Sequence, residues 1–431
     1  MTAAQVHRGG LAAVLVLVLA LLLPAPVHAA VVDAWPGERG GPGRTGHNPA
    51  ERALSTDTVA GLRRQWRSSG LSSLATSAVG GGVAYATATN PGRVVAVDAV
   101  SGRSRWVWQL PHGGHAETPV VGGPLVYVGV TGERTDPSGA AVYALRAADG
   151  SVVWRHSEAE AVGQPTSVGE GTGVLGDGRL YVSFGSDEHG RVIALDARTG
   201  QVRWARDADE LGVNGGMANA YSGGRLFLVG RSRNCVHALD GRTGERATRY
   251  DCTYLGDIRS VVAVGAQIYV TQTDVRPSET VVWAFPTSCA VTYCPARWRA
   301  DVEGHPGTLA AARGLVYVPT TTTRSPLGPP LATLTALDPR TGRSTWTAST
   351  VGHTRVVSVA GDVAYLAANA VHLDGVGRVA LLDADGCGAA TCRPLRMLRA
   401  HDGGSAVYEV AVAGGTAVLN TGSGMSAFRL R

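Results

Sequence analysis

Lysine is missing from this sequence: all 39 basic side chains are arginine, against 34 acidic ones. Phenylalanine is nearly missing too, with four residues, while glycine reaches 58. Together with abundant Ala, Val and Arg, this is the signature of GC-rich coding sequence rather than of selection for a partner. The formal charge of +5 is spread along the chain without a basic cluster, so nucleic acid is not an expected partner. No CxxC pair occurs, which removes the usual thiolate metal motifs. There is no Gly-x-Ser-x-Gly elbow and no phosphate loop, and the spacing of His, Ser and Asp supports no triad. Helical periodicity is absent beyond the first residues, and no second apolar run is long enough to span a bilayer.

The first residues have a character of their own. Arg8 precedes an apolar run from Leu11 to Leu23, followed by Pro24-Ala25-Pro26-Val27-His28-Ala29. A basic start, about a dozen apolar residues and a small-residue end fit a secretory signal peptide over 1–29. The run falls short of the roughly 20 residues of a membrane span. No Cys follows it, so no lipid anchor is expected after cleavage. The expected product is a secreted or extracytoplasmic monomer with a lead-in segment, 30–52, before one domain, 53–431. All six cysteines (Cys235, Cys252, Cys289, Cys294, Cys387 and Cys392) lie in the exported part, where an even count reads as disulfides.

One phrase recurs. Val95-Ala96-Val97-Asp98 runs through Gly102 to Trp106, and Tyr143-Ala144-Leu145 through Gly150 to Trp154. Ile193-Ala194-Leu195-Asp196 leads through Gly200 to Trp204, and Thr335-Ala336-Leu337-Asp338 through Gly342 to Trp346. A weaker copy at His237-Ala238-Leu239-Asp240 carries Thr248 in place of the Trp. The spacing of roughly 44 to 50 residues is that of propeller blades. Each phrase is a hairpin: an apolar strand ends at Asp, whose carboxylate bonds the turn amides, and Gly takes the positive-φ position. The Trp reads as a wedge between blades, a role assigned to Trp66, Trp106, Trp154, Trp204, Trp298 and Trp346.

A second hairpin precedes each phrase, with small residues, a glycine turn and an apolar-aromatic strand such as Leu125-Val126-Tyr127. Two hairpins make a four-stranded blade. Complete blades are expected at about 71–110, 111–158, 159–210, 211–254, 255–304, 305–352 and 353–402. The tail from Ser405 holds three strands, and Leu62-Arg63-Arg64-Gln65-Trp66-Arg67 is a lone fourth strand. Pairing them closes an all-β, eight-bladed propeller and hides both sheet edges; seven blades is the alternative if the tail packs elsewhere. In two blades cysteines replace the Gly turn, predicting local bridges Cys289–Cys294 and Cys387–Cys392. Cys235 and Cys252 flank the hairpin that has Thr248 and are expected to pair across it.

Aligning the blades on their second-strand aromatic exposes a further column: His115, Asp257, His305 and His353, with His401 near the same place in the last blade. It should lie at the channel mouth, where one blade hands over to the next. Two readings stand. Each imidazole could tie its own blade together by hydrogen bonds. Alternatively, imidazoles with a carboxylate could hold a divalent metal or an anion, although equivalent positions on neighbouring blades sit far apart for bonds of about 2 Å.

The Ala-Leu-Asp, Thr-Gly, Trp phrase resembles the pyrroloquinoline-quinone (PQQ) propeller repeat. The opening Trp35-Pro36 with Arg44-Thr45-Gly46-His47-Asn48-Pro49 resembles the segment that leads into such propellers. The resemblance implies two roles, quinoprotein dehydrogenases using PQQ and calcium, and binding or assembly scaffolds such as BamB. The dehydrogenases use a vicinal Cys-Cys disulfide, a stacking Trp, a catalytic Asp and Glu/Asn calcium ligands. This chain has no adjacent cysteines, no long inserts and no Asp that matches the catalytic one. BamB-like scaffolds are lipoproteins, and the anchoring Cys is lacking here. The expectation is therefore a non-catalytic exported module binding a protein, peptide or cell-envelope glycan, with a PQQ-dependent oxidoreductase as the alternative. The turns and loops, notably Thr320 to Pro330, would supply the variable surface.

Overall fold

The computed structural model describes residues 33–69, 77–89, 92–111, 114–131, 140–157, 168, 172–185, 190–213, 220–230, 235–252, 256–273, 279–323, 328–369, 376–400, 406–422 and 424–431. The expected signal peptide and His401 lie outside them. Eight antiparallel sheets follow one another along the chain. In the first, Ala78–Gly80, Val83–Thr89, Gly92–Asp98 and Ser104–Gln109 pair in sequence order. Blades 2 to 7 repeat this order over 115–157, 174–207, 220–251, 258–303, 305–351 and 357–399. The eighth takes Val407–Ala413, Thr416–Thr421 and Gly424–Arg429 from the tail and Arg63–Ser69 from the start of the chain. Arg63 lies opposite Arg429 and Ser69 opposite Gly424, so the ring closes as the strand count requires and seven blades are excluded. Besides strands, only a 3-10 turn (Val59–Gly61) and a one-turn helix (Ala208–Leu211) appear among the described residues.

The core is eight separate layers, each between two blades. This follows from alternation: each sheet stands between two others, so both of its faces are buried and its strands read as continuous apolar runs. Most layers share a recurring rivet. Trp154 lies over Gly200 of the next blade and donates from Nε1 to the Ala197 carbonyl at 3.1 Å. Trp66, Trp106, Trp204 and Trp298 bond Ala99, Ala147, Gly241 and Pro339 of the following blade in the same way, at 2.8 to 2.9 Å. Gly200 must be glycine twice over: its φ is 71°, and an added Cβ would come within 2.7 Å of the Trp154 ring. The Asp of each phrase does what a turn Asp does. Asp196 accepts from the amides of Arg198 and Thr199 at 3.1 and 2.9 Å, and its other oxygen holds Arg203.

Three junctions depart from this rule: between blades 7 and 8 an exposed Met397 stands at the Trp position, and the other two involve cysteine. Thr248 occupies the Trp position of blade 4, and Tyr250, two residues on, supplies the missing rivet. Fully buried, it donates to the Thr287 carbonyl of blade 5 at 2.9 Å. The Cys289–Cys294 loop of blade 5 then lays Tyr293–Cys294 parallel to the outer strand of blade 4, Tyr250 beside Cys294. The Cys387–Cys392 loop of blade 7 does the same to blade 6, Ala348 beside Cys392. Both bridges are local, as expected, and each pins a fifth strand onto its neighbour. At this second junction Trp346 rests over Gly386, but its Nε1 has no hydrogen-bond partner. The equivalent carbonyl, that of Ala384, accepts from the Tyr317 hydroxyl at 2.9 Å. The two cysteines expected to pair across the Thr248 hairpin, Cys235 and Cys252, lie at its two ends. Cys235 faces Asp251, so Cys252 is one residue past its cross-strand position, and the Cys235 sulfur turns to Nε2 of His237 at 3.4 Å. Both side chains are buried.

Candidate functional site at the channel mouth

One end of the central channel is filled by the chain itself. Residues 35–48 cross the inner strands of the blades in turn, bonding them at one structurally equivalent position. Trp35 exchanges hydrogen bonds with Val79 at 2.8 and 2.7 Å; the carbonyls of Pro36, Pro42, Gly43, Thr45 and Gly46 accept from Val121, Tyr221, Ala263, Ala311 and Val359. In blade 8 the Asn48 amide reaches the Val412 carbonyl at 2.8 Å. The innermost strand of a propeller blade is a free edge, and this segment satisfies it. Sequence inspection found the segment but not its path, because backbone pairing leaves no side-chain period to read.

Two ionisable groups are buried with it. Glu409, on the inner strand of blade 8, accepts from the Arg39 amide at 2.8 Å and from Trp35 Nε1 at 3.2 Å. The Arg39 guanidinium donates to the Leu309 carbonyl at 2.7 Å. Its Nε and Nη1, and the second oxygen of Glu409, have no hydrogen-bond partner. Burial pushes the Glu409 carboxyl up to about 7, the Arg39 bonds pulling the other way; burial likewise lowers Arg39 to about 10, leaving it a cation at neutral pH. Beside the segment's exit lies a cleft of about 350 Å³ lined by His47, Arg52, Arg313 and Asp362. Burial, then the charges of Arg313 and Arg52, hold His47 down to about 4. The acids there are already occupied: Glu51 accepts three backbone amides, and Asp385 clasps Arg313.

The His/Asp column lies at the other end of the inner strands. His115 stands opposite Thr131, His305 opposite Thr321 and His353 opposite Asn369, while Asp257 meets Thr273. The alignment thus placed four blades in register. The tie between strands is made by backbone: His353 and Asn369 exchange N–H···O bonds at 2.8 and 2.7 Å. His115 and His305 are exposed, and Asp257 and His353 half-buried. Among the described residues no three His, Cys, Asp or Glu side chains come close enough to hold a metal ion. Ring geometry explains it, since each member stands on its own blade and metal bonds of about 2 Å cannot bridge the gaps.

A second ring, two residues further along the inner strands, escaped the sequence reading. It holds Arg259 in blade 5 and Arg355 in blade 7, with Tyr408 at the matching place in blade 8. Both guanidiniums are exposed, and the Arg355 one lies over the Tyr408 ring at 5.8 Å. The acid at this level, Glu117, belongs to blade 2, across the ring.

The architecture is that of an eight-bladed propeller with one end of its channel crossed by residues 35–48 and the other carrying, among the described residues, His115, Glu117, Asp257, Arg259, His305, His353 and Arg355 at the inner-strand ends. The sequence profile described as "Outer membrane protein assembly factor BamB" matches residues 56–207 and 138–288, together more than half of the chain. The chain belongs to that family of PQQ-like repeat propellers. It is 28% identical over 241 residues to a polyvinylalcohol dehydrogenase from Pseudomonas sp, a match covering 54% of this chain and 33% of that enzyme. The chain therefore spans about a third of the curated relative it matches. Among solved structures, the quinohemoprotein alcohol dehydrogenase of Comamonas testosteroni superposes with a TM-score of 0.65 at 15% identity, over 93% of this chain and 81% of that one. BamB from Moraxella catarrhalis gives 0.56 at 15% identity, over 86% and 98%. At these identities the likeness establishes the shared fold.

Proposed function

We propose that this chain is an exported, non-catalytic binding propeller that meets its ligand or partner at the open channel mouth and the surrounding rim. The observation that carries the reading is the sealed channel: the buried acid on the inner strand of blade 8, Glu409, is spent on holding Trp35 and Arg39. PQQ chemistry fits these residues poorly. Calcium takes six to eight oxygen ligands, several of them carboxylates, and no cluster of three acids, His or Cys exists among the described residues. The two disulfides are rim loops, each closing six residues, and neither is vicinal. BamB and the dehydrogenases share the fold, so fold alone decides nothing between them. The partner classes that suit such a surface are a protein, a peptide or a cell-envelope glycan; disulfides and family membership support an extracytoplasmic site of action.

Thermal unfolding with and without PQQ plus calcium tests the proposal. A ligand at 100 times its dissociation constant adds about 2.7 kcal/mol to the native state. The expected result is an unchanged midpoint and no dye reduction with alcohols, including polyvinyl alcohol. A raised midpoint accompanied by dye reduction would overturn the proposal in favour of an oxidoreductase.

A further inference from the structure

We infer that the gap between residues 36–42 and the inner strand of blade 3 is a binding site for one extended residue of a peptide, held by the Leu175 backbone. The site lies at the crossed end of the channel and stands whatever the opposite mouth binds.

The gap is an omission in a regular pattern. Residues 35–48 bond the inner strands of blades 1, 2, 4, 5, 6, 7 and 8 and leave out blade 3. The equivalent residue there is Leu175, opposite Leu180 as Val121 is opposite Val126 and Ala263 opposite Ile268. Residues at this position form the pair without cross-strand bonds, so their N–H and C=O both face the channel. The Val121 and Ala263 amides donate to the Pro36 and Gly43 carbonyls at 2.6 and 2.8 Å. Among the described residues the Leu175 amide meets no such carbonyl. A backbone donor in a half-buried setting is costly to leave unmade, and an entering carbonyl removes that cost.

The gap is held open by bonds of its own. After Pro36 the chain turns aside: the Gly40 amide donates to the Gly37 carbonyl at 2.9 Å, and Arg39, at φ 60°, reaches away to Glu409 and Leu309. What remains is a pocket of about 140 Å³ walled by Pro36, Gly41, Val120, Val174 and Leu175. All of its lining residues are among those described. Sites for drug-sized ligands begin at about 300 Å³, so this one suits a single small residue. Glu38 is its only ionisable lining residue, and Arg44 matches that charge at 2.6 Å, which favours an uncharged occupant. Trp35 shows the mode of binding, exchanging backbone bonds with Val79 at 2.8 and 2.7 Å. An extended peptide residue likewise presents its N–H and C=O on one side and adds itself to a free strand edge. The trans amide of an N-acetyl sugar points its N–H and C=O in opposite directions and can make only one of the two bonds.

Amide NMR of the purified protein with N-acetylalanine methylamide tests the inference, with N-acetylglucosamine as the one-bond comparison. Without ligand, the Leu175 amide should exchange about tenfold faster than those of Val121 and Ala263. N-acetylalanine methylamide should shift the Leu175 resonance saturably and slow its exchange, and should bind about tenfold more tightly than the sugar. Leu175→Pro removes the donor at a point where the strand ladder does not use it. If this variant melts as the parent does, it should bind about tenfold more weakly. Three results would overturn the inference: a Leu175 resonance that does not respond, which leaves the gap to solvent; a sugar that binds as tightly; or unchanged binding by folded Leu175→Pro. Should Leu175→Pro not fold, the Leu175 resonance of the parent decides.

Discussion

Replacing Gly200 by alanine isolates the energy of one rivet. The substitution carries two penalties. An alanine at φ 71° sits in the left-handed region, costing about 1–2 kcal/mol. Its Cβ would lie 2.7 Å from two atoms of the Trp154 indole, and forcing a packed ring aside costs about 1–3 kcal/mol. Gly123 supplies the control. Its φ is 61°, yet an added Cβ there meets nothing within 4 Å, so Gly123→Ala carries the backbone penalty alone. Unfolding entropy of about 2.1 cal/mol/K per residue over about 400 residues gives about 0.8 kcal/mol per degree. Gly123→Ala should then lower Tm by about 1–2 °C, and Gly200→Ala by about 2–6 °C. Calorimetric melts of both variants against the parent measure the difference. Equal shifts would refute the claim that the Trp-on-Gly contact holds the blades together.

Stability against pH should show two opposed slopes of about 1.4 kcal/mol per pH unit each. Glu409, raised to about 7, contributes stability that is complete below its unfolded value of 4.5 and lost as pH rises to 7. His47, lowered to about 4, contributes stability that is complete above 6.5 and lost as pH falls towards 4. Between pH 4.5 and 6.5 they cancel, so Glu409→Gln should make Tm rise with pH there and His47→Gln should make it fall; parallel profiles in both variants would contradict the assignment. Non-reducing peptide maps should find Cys289–Cys294 and Cys387–Cys392. Reduction should speed hydrogen exchange at the Arg249 and Thr347 amides, which donate to Thr292 and Ala390, with the amides between third and fourth strands unaffected. Trp35→Ala should cost about 3–5 kcal/mol, read as a lowered denaturation midpoint, because the ring is fully buried and also bonds Glu409.

The propeller could be read from the sequence because its determinants are local and repeated. Asp98, Gly102 and Trp106 act within one hairpin and on the next, and their copies announce the period. The lone Trp66 strand and the three-stranded tail announced ring closure by arithmetic. What resisted reading acts without repetition. Residues 35–48 bind through carbonyls, which any residue carries. Tyr250 substitutes for a Trp two positions away, outside the register in which a substitute would be sought. The parallel clasps of Cys294 and Cys392 join neighbouring blades, whereas the spacing of the cysteines shows only the loop each closes. At the mouth, alignment on the aromatic placed His115, Asp257, His305 and His353 correctly along their strands. Equivalence in register is not proximity around a ring, and the exposed Arg259 and Arg355 carried no motif to single them out among 39 arginines.

Blade 8 takes one strand from near the beginning of the chain and three from its end, with Arg63 facing Arg429. For a chain made N-terminus first, this sets an order of events. Seven sheets can assemble as they appear, but the Arg63–Ser69 strand must wait, unpaired, for residues 407–429 to arrive. Bringing such distant ends together costs entropy only logarithmically in the length between them, yet it makes completion of the ring the final step. Trimming a few residues from the C-terminus therefore does more than fray one sheet. It leaves Arg63–Ser69 without its partner, and with it the Trp66 contact that fastens blade 1, so a ring left open at one joint is loosened on both sides of it.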